Sequence, residues 1–351
     1  MNDIDCVILW VDGSDKKWLA QKNAYVDTNN KINEDAEAER YRDFGVLKYL
    51  FRGIETNMSW VRNIIFVTCG QHPQWLDKSN TKLRFVDHKD FIPEKYLPTF
   101  NSHTIEMNLH RIPELSDNFI YFNDDMFVID KTKETDFFRN GLPCDSAVLN
   151  AIAMKKTEKE FRFLMPINDI EIINKYFSKL EVIKNNRWKY YNIKYGKDLL
   201  RTLCLTPWIH FTGFCNYHLP YSIQKKNLEE IWEREPEVLD QTCSHKFRNS
   251  NDVNIWLVLY WQYVTGRFTP RSPKIGYLTG LSDDKTKNQN VYNFIKNKKR
   301  KIIVINDEIK QNDFKSIKKE IIDAFDSILP DKSSFEVREE KDNDFSGHVD
   351  I

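Results

Sequence analysis

The stretch FIYFNDDMFV at residues 119–128 places two adjacent carboxylates, Asp124 and Asp125, at the end of an apolar run. Adjacent like charges repel, so the pair calls for a positive partner. A hard cation is the simplest one, and Mg2+ (or Mn2+) fits because it takes oxygen ligands and bridges nucleotide phosphates. Successive side chains of an extended segment point to opposite sides, so both aspartates reach one metal only if the chain turns there. Asn123 suits such a turn. Without the turn, one aspartate binds metal and its neighbour holds a supporting group or the acceptor.

Other strand-like runs also end in acid. The first ends in VDGSD, giving Asp12, Gly13 and Asp15; another runs into Asp87-His88, and the last into Asn306-Asp307. Ligands of open parallel α/β sheets bind beyond the carboxyl ends of the strands. A single acidic end is most simply a cap or a turn. Several on one rim suggest a shared cation, so Asp307 joins Asp124 and Asp125 as a metal candidate and Asn306 joins the substrate candidates.

Two further stretches carry usable groups. In TFNSHTIEMNLHRIPEL (99–115), Ser102 is placed to cap a helix that sets His103, Glu106 and His110 along one face. That face is either an ordinary polar surface with one core histidine, or a phosphate or sugar site built from Asn101, His103 and Arg111. Downstream, His218 stands just before Pro220 in an extended segment. Arg248 and Asp252 fall at the start of an aromatic helix, where an anion is favoured. Taken singly, each of these is more simply a salt-bridge residue.

The elements that must position these groups read as α/β. Short apolar runs at 4–11, 63–68, 83–87, 119–122 and 301–305 suggest buried, mostly parallel strands of one central sheet. Helical periodicity separates them: residues 44–57 align Leu47, Leu50, Phe51 and Ile54, with Asp43 as cap. Further helices are expected near 102–111, 168–182, 224–234, 252–264 and 312–328. Residues 150–215 read as a mainly helical insertion or lid on a catalytic domain spanning 1–330, and 331–351 as a polar, frayed tail.

Composition narrows the function classes. Lys+Arg and Asp+Glu both number 52, and a net charge of zero argues against a nucleic-acid partner. The six cysteines are scattered without a CxxC pair, which argues against zinc and for reduced thiols in a cytoplasmic protein. The acidic amino terminus does not look like a signal peptide, and no apolar run reaches spanning length. The basic run KNKKRK (296–301) is the expected point of any peripheral contact with the inner face of the membrane, although such runs are usually solvated loops.

In this order, four stretches resemble the Stealth family of hexose-1-phosphotransferases: IDCVILWVDGSD (4–15), RYRDFGVLKYLF through FIYFNDDMFV (40–128), HLPYSIQKKNLEEIWE through NIWLVLYWQY (218–263) and IVINDEI (303–309). The resemblance implies a nucleotide-sugar-transferase-like fold and transfer of a sugar-1-phosphate from a UDP-sugar, typically a UDP-N-acetylhexosamine, to a saccharide hydroxyl, with release of UMP. It places Asp12 and Gly13 on the nucleotide and a metal at Asp124 and Asp125. Arg111 and Arg248 go to phosphate oxygens, where a planar fork suits paired acceptors. Arg42 and Arg52 are either donor-phosphate ligands or helix anchors. His218 is the first candidate for general base, since an unshifted imidazole titrates near neutrality, with His103 in reserve. A metal-dependent glycosyltransferase that releases UDP is the alternative.

Overall fold

The computed structural model describes residues 3–26, 44–153, 161–310 and 314–337. Arg42 and the expected cap Asp43 lie outside them. In chain order the strands are β1 (Ile4–Leu9), β2 (Ile64–Thr68), β3 (Leu83–Asp87), β4 (Asn118–Phe122), β5 (Met126–Val128), β6 (Phe138–Arg139), β7 (Leu142–Asp145), β8 (Tyr221–Gln224), β9 (Thr269–Pro270), β10 (Gly276–Leu281) and β11 (Ile302–Asp307). The main sheet has the order β3-β2-β1-β4-β8. Its first four strands are parallel, in the register Cys6 to Ile64 and Cys6 to Ile120, while β8 runs antiparallel to β4. Every residue of β2 and β4 is buried, as continuous apolar strands covered on both faces should be. The expected α/β class with a mostly parallel sheet therefore holds.

The last strand departs from expectation. β11 belongs to a separate sheet of order β10-β11-β5, parallel to β10 and antiparallel to β5. The edge of the main sheet beside β4 is taken by β8, which leaves β11 no place there. Yet Val304 pairs with Met126, and the Ile305 amide donates to the Asp125 carbonyl. The end of β11 thus comes back beside the Asp124–Asp125 turn from another direction.

Helix Leu47–Asn57 buries Leu47, Leu50, Phe51 and Ile54, the expected stripe. It also lies so close to β5 that a Cβ on Gly53 would sit 2.4 Å from the Val128 carbonyl oxygen. The stretch expected as an insertion or lid holds the helices Phe161–Tyr176, Lys179–Asn185, Arg187–Tyr190 and Leu199–Leu205. Three helices went unread: Lys16–Ala24, Pro236–Ser244 and Lys285–Lys296, capped or started by Asp15, Pro236 and Asp284.

The carboxyl-terminal stretch is not wholly a tail. Phe335 and Glu336 are buried, Glu336 bridges to Leu76, and the Val337 amide donates to Trp75. Residues 338–351 lie outside the described part.

Candidate active site

The turn that two cooperating aspartates require is present. Residues 124 and 125 form it, closed by the Met126 amide donating to the Asn123 carbonyl. The Asn123 side chain accepts from the Tyr121 hydroxyl at 2.6 Å, so it shapes the turn from within. Asp124 is exposed and Asp125 half-buried. One oxygen of Asp125, Oδ1, is buried with no hydrogen-bond partner. The other, Oδ2, lies 3.4 Å from Nε2 of His218.

A buried carboxylate oxygen without a partner is costly, by about 1–3 kcal/mol or more for a charged group. A cation removes that cost. The donor set suits Mg2+, which is commonly held by one or two carboxylates and completed by phosphates and waters. Asp125, with Asp124 on the same turn, would hold it.

His218 sits in the left-handed region, at φ 49°, a conformation uncommon for a residue with a side chain. Such strain persists only where the surroundings impose it. Here Nδ1 lies 2.9 Å from the Tyr221 hydroxyl, which also accepts from the Trp256 indole at 3.3 Å. With its proton on Nδ1, His218 donates to Tyr221 and leaves Nε2 open beside Asp125. Burial pushes the Tyr221 hydroxyl well up, so it stays protonated and neutral.

A second cluster centres on Asp252, whose side chain is fully buried. Its Oδ2 accepts from Asn101 Nδ2 at 2.9 Å, His103 Nδ1 at 3.0 Å and the Asn249 amide at 2.9 Å, and its Oδ1 accepts from His245 Nδ1 at 2.7 Å. Burial pushes the Asp252 carboxyl up, but the two histidine bonds outweigh it and hold the group below its usual value. Burial also drives His103 down, against the pull of Asp252, so its ring stays neutral. Asn101, not Ser102, caps helix Ser102–Asn108; Ser102 is left to accept two bonds from Arg248, at 2.7 and 3.2 Å. Between the two clusters stands Tyr121: its hydroxyl, donated to Asn123, lies 3.2 Å from Glu106 of helix Ser102–Asn108, and its ring stacks on Tyr221.

Several expected site residues are used elsewhere. Asp12 and Gly13 do lie on the loop after β1, at the carboxyl edge of the sheet. Asp12 Oδ1, however, accepts from the amide and hydroxyl of Ser14. Asp15 caps helix Lys16–Ala24, Asp87 caps the short turn His88–Asp90, and Asp307 accepts from the Ile309 amide. Among the described residues, no three His, Cys, Asp or Glu side chains converge as a metal shell. Of the acidic ends expected on one rim, Asp15 and Asp87 are local caps and Asp12 and Asp307 accept from amides two residues on, while Asp124 and Asp125 share one turn.

Of the two roles weighed for Arg52, the anchor is what the structure contains. It is buried, forms a paired bond to Glu336 at 2.7 and 2.8 Å, and donates to the Leu329 carbonyl. Arg111 is exposed and stacks on Trp232 at 4.9 Å, in the segment that leads back to the start of β4. Glu114, three residues on, accepts from Arg62, which holds Asp3 and Asp5 at the start of β1. Arg111 thus stands at the opposite edge of the sheet from the aspartate turn, and its phosphate role is withdrawn.

Two groups went unread. His245 carried a faint signal, standing in SHKFRNSND three residues before Arg248. Arg271 carried none. It lines the hollow beside His218 with Asp145, Tyr217 and Tyr221, and its Nε is buried without a hydrogen-bond partner.

Comparison with known proteins fits this site. Residues 2–30, 40–144 and 217–265 match conserved regions 1, 2 and 3 of the Stealth proteins, the stretches that hold Asp12, Asp124, Asp125, His218 and Asp252. The chain is 42% identical over 338 residues to a capsular polysaccharide phosphotransferase WcwK of Streptococcus pneumoniae, covering 96% of this chain and 98% of the other. It is 40% identical over 336 residues to the exopolysaccharide phosphotransferase cps2G of Lactiplantibacillus plantarum, covering 95% and 96%. It is 38% identical over 342 residues to the receptor polysaccharide phosphotransferase WefC of Streptococcus oralis, covering 96% and 100%. Likeness of this extent to proteins so named makes the chain a transferase enzyme. It belongs to the Stealth protein family.

Proposed function

We propose that this chain transfers a sugar-1-phosphate, an N-acetylhexosamine-1-phosphate by preference, from a UDP-sugar to a saccharide hydroxyl. The product is a phosphodiester in a capsular or cell-surface polysaccharide, and UMP leaves. The relatives' names support phosphate transfer into polysaccharide, and one observation carries the catalytic reading. At the carboxyl edge of the main sheet, a buried carboxylate oxygen without a partner lies on the same side chain that faces a strained histidine.

In this reading Nε2 of His218 takes the proton of the acceptor hydroxyl while its Nδ1–H donates to Tyr221. The acceptor oxygen forms a bond to the phosphorus that carries the sugar, and the bond from that phosphorus to the UMP oxygen breaks. Asp125 Oδ2, 3.4 Å away, stabilises the imidazolium that results. Mg2+ or Mn2+ held by Asp124 and Asp125 would neutralise diphosphate charge, the main need in phosphoryl-type transfer. Arg248, held by Ser102 through Nε and one Nη, would bring positive charge toward the phosphate oxygens. Arg271 and Asp145, beside His218, are suited to acceptor hydroxyls.

The test is to incubate the purified protein with Mg2+, a saccharide acceptor and a panel of nucleotide sugars, following nucleotides by chromatography and the product by phosphorus NMR. UMP together with a diester resonance is expected. UDP as the only nucleotide product overturns the proposal in favour of a plain glycosyltransferase.

A further inference from the structure

Part of the stretch expected as an insertion is inside out. In helix Leu199–Leu205 the buried side chain is Thr202, at 0% exposure, while Leu200 and Leu203 are 63% and 50% exposed. A helix facing only water would show the reverse. The apolar surface continues past its end with Trp208 and Ile209, 56% and 73% exposed. The buried ammonium of Lys179 donates to the carbonyls of Leu205 and Trp208, which ties the exposed Leu180 to the same end. Trp188, 79% exposed, lies on the next short helix.

Charge singles out what covers this face. From Lys179 to Ile209 the chain holds seven Lys or Arg against Glu181 and Asp198, although the whole chain has no net charge. Lys184, Arg187, Lys194, Lys197 and Arg201 are exposed among the apolar residues. Tryptophan and leucine interleaved with exposed cations match the boundary of an anionic bilayer, where the rings sit at headgroup level and the cations meet lipid phosphates. Apolar burial and charge together give firmer attachment than either alone.

We propose that this face docks the protein on an anionic phospholipid surface. Docking needs no spanning segment, and no helix among the described residues is long and apolar enough to be one. The site moves away from KNKKRK, which has no apolar residue to insert; there Arg300 is already bound to the Gly276 carbonyl and Lys301 to Asp136. The face also communicates with the catalytic edge: Asp198, at the start of helix Leu199–Leu205, accepts from the hydroxyl of Tyr217, the neighbour of His218. An acceptor presented from the lipid surface would then arrive on the His218 side. The docking itself does not depend on which nucleotide the enzyme releases.

The test is sedimentation of the full chain with vesicles of phosphatidylcholine alone or mixed with phosphatidylglycerol. Binding to the mixed vesicles, weakened by salt, is expected. Joint replacement Lys184→Glu, Arg187→Glu and Lys197→Glu should cut that binding on the order of a hundredfold. Joint Trp208→Ser and Ile209→Ser should weaken it too, with far-ultraviolet circular dichroism showing an intact fold in both. Joint Lys296→Glu, Lys298→Glu and Lys299→Glu should leave it unchanged. Equal or absent binding to the two vesicle types overturns the proposal. So does a concentration-dependent dimer that Trp208→Ser with Ile209→Ser abolishes while vesicle binding persists, because a second copy then covers the face.

Discussion

Asp252→Asn separates an ionic hub from a merely polar one. The carboxylate takes three bonds on Oδ2, from Asn101, His103 and Asn249, and one on Oδ1, from His245. An asparagine can keep its amide oxygen where Oδ2 stands, so those three donors remain paired but lose the charge. A hydrogen bond to a charged group contributes about 1.5–3 kcal/mol and a neutral one about 0.5–1.5, so three such downgrades amount to about 3 kcal/mol. The amide NH2 then faces His245, which must change tautomer to accept from it. Urea unfolding of wild type and variant side by side should show that loss at neutral pH, and Asp252→Ala, which leaves all four donors unpaired, should lose more. A loss for Asp252→Asn below about 1 kcal/mol would refute the ionic account. UMP release by the folded variant then tells whether the hub also positions Arg248 through helix Ser102–Asn108: unchanged turnover limits Asp252 to the fold.

Three other outcomes are expected. Burial holds His103 below its usual value, His110 down to about 3 and His88 down to about 4, so the unfolded chain takes up protons below about pH 6.5 that the folded chain refuses. Stability should therefore fall as pH drops through that window, by up to about 1.4 kcal/mol per pH unit for each such histidine; a flat urea midpoint between about pH 7 and 5 would contradict this. His218→Ala should lower turnover by roughly two to four decades while UDP-sugar binding, read by calorimetry, persists; lost binding with unchanged turnover would make it a binding residue. Gly53→Ala should cost about 1–3 kcal/mol in thermal or urea unfolding, because its Cβ would meet backbone, the Val128 carbonyl at 2.4 Å, which cannot swing aside as a side chain would.

What could be read before the fold was known follows physical lines. β2 and β4 were plain because strands buried on both faces are continuous apolar runs. The stripe of helix Leu47–Asn57 was plain because its period is helical. Helix Lys285–Lys296 was missed because only Val291, Tyr292 and Ile295 among its apolar positions are buried, in a background of Asn and Lys. Sheet membership of β11 was not legible at all. Strand content is local, whereas the partner is chosen across the chain, and β8 had already taken the free side of β4. The same limit explains Arg271 and His245: each is brought to its site by tertiary packing alone. Acidic strand ends proved ambiguous because a cap and a ligand demand the same residue, and Asp15 and Asp87 turned out to be caps.

The aspartate turn differs from those caps in its place, where the chain passes from one sheet to another. β4 is held in the main sheet by β1 and β8, and β5, four residues beyond the end of β4, is held by β11. The Asn123–Asp125 segment is therefore fixed from both sides, and the Ile305 amide pins its last carbonyl. No side-chain bond from Asp125 Oδ1 is needed for the turn to form, which is why that oxygen can be left without a protein partner. A carboxylate spent on a cap would have its lone pairs filled by amides, as at Asp15. Here the backbone does the folding, and one oxygen of the side chain takes no part in it.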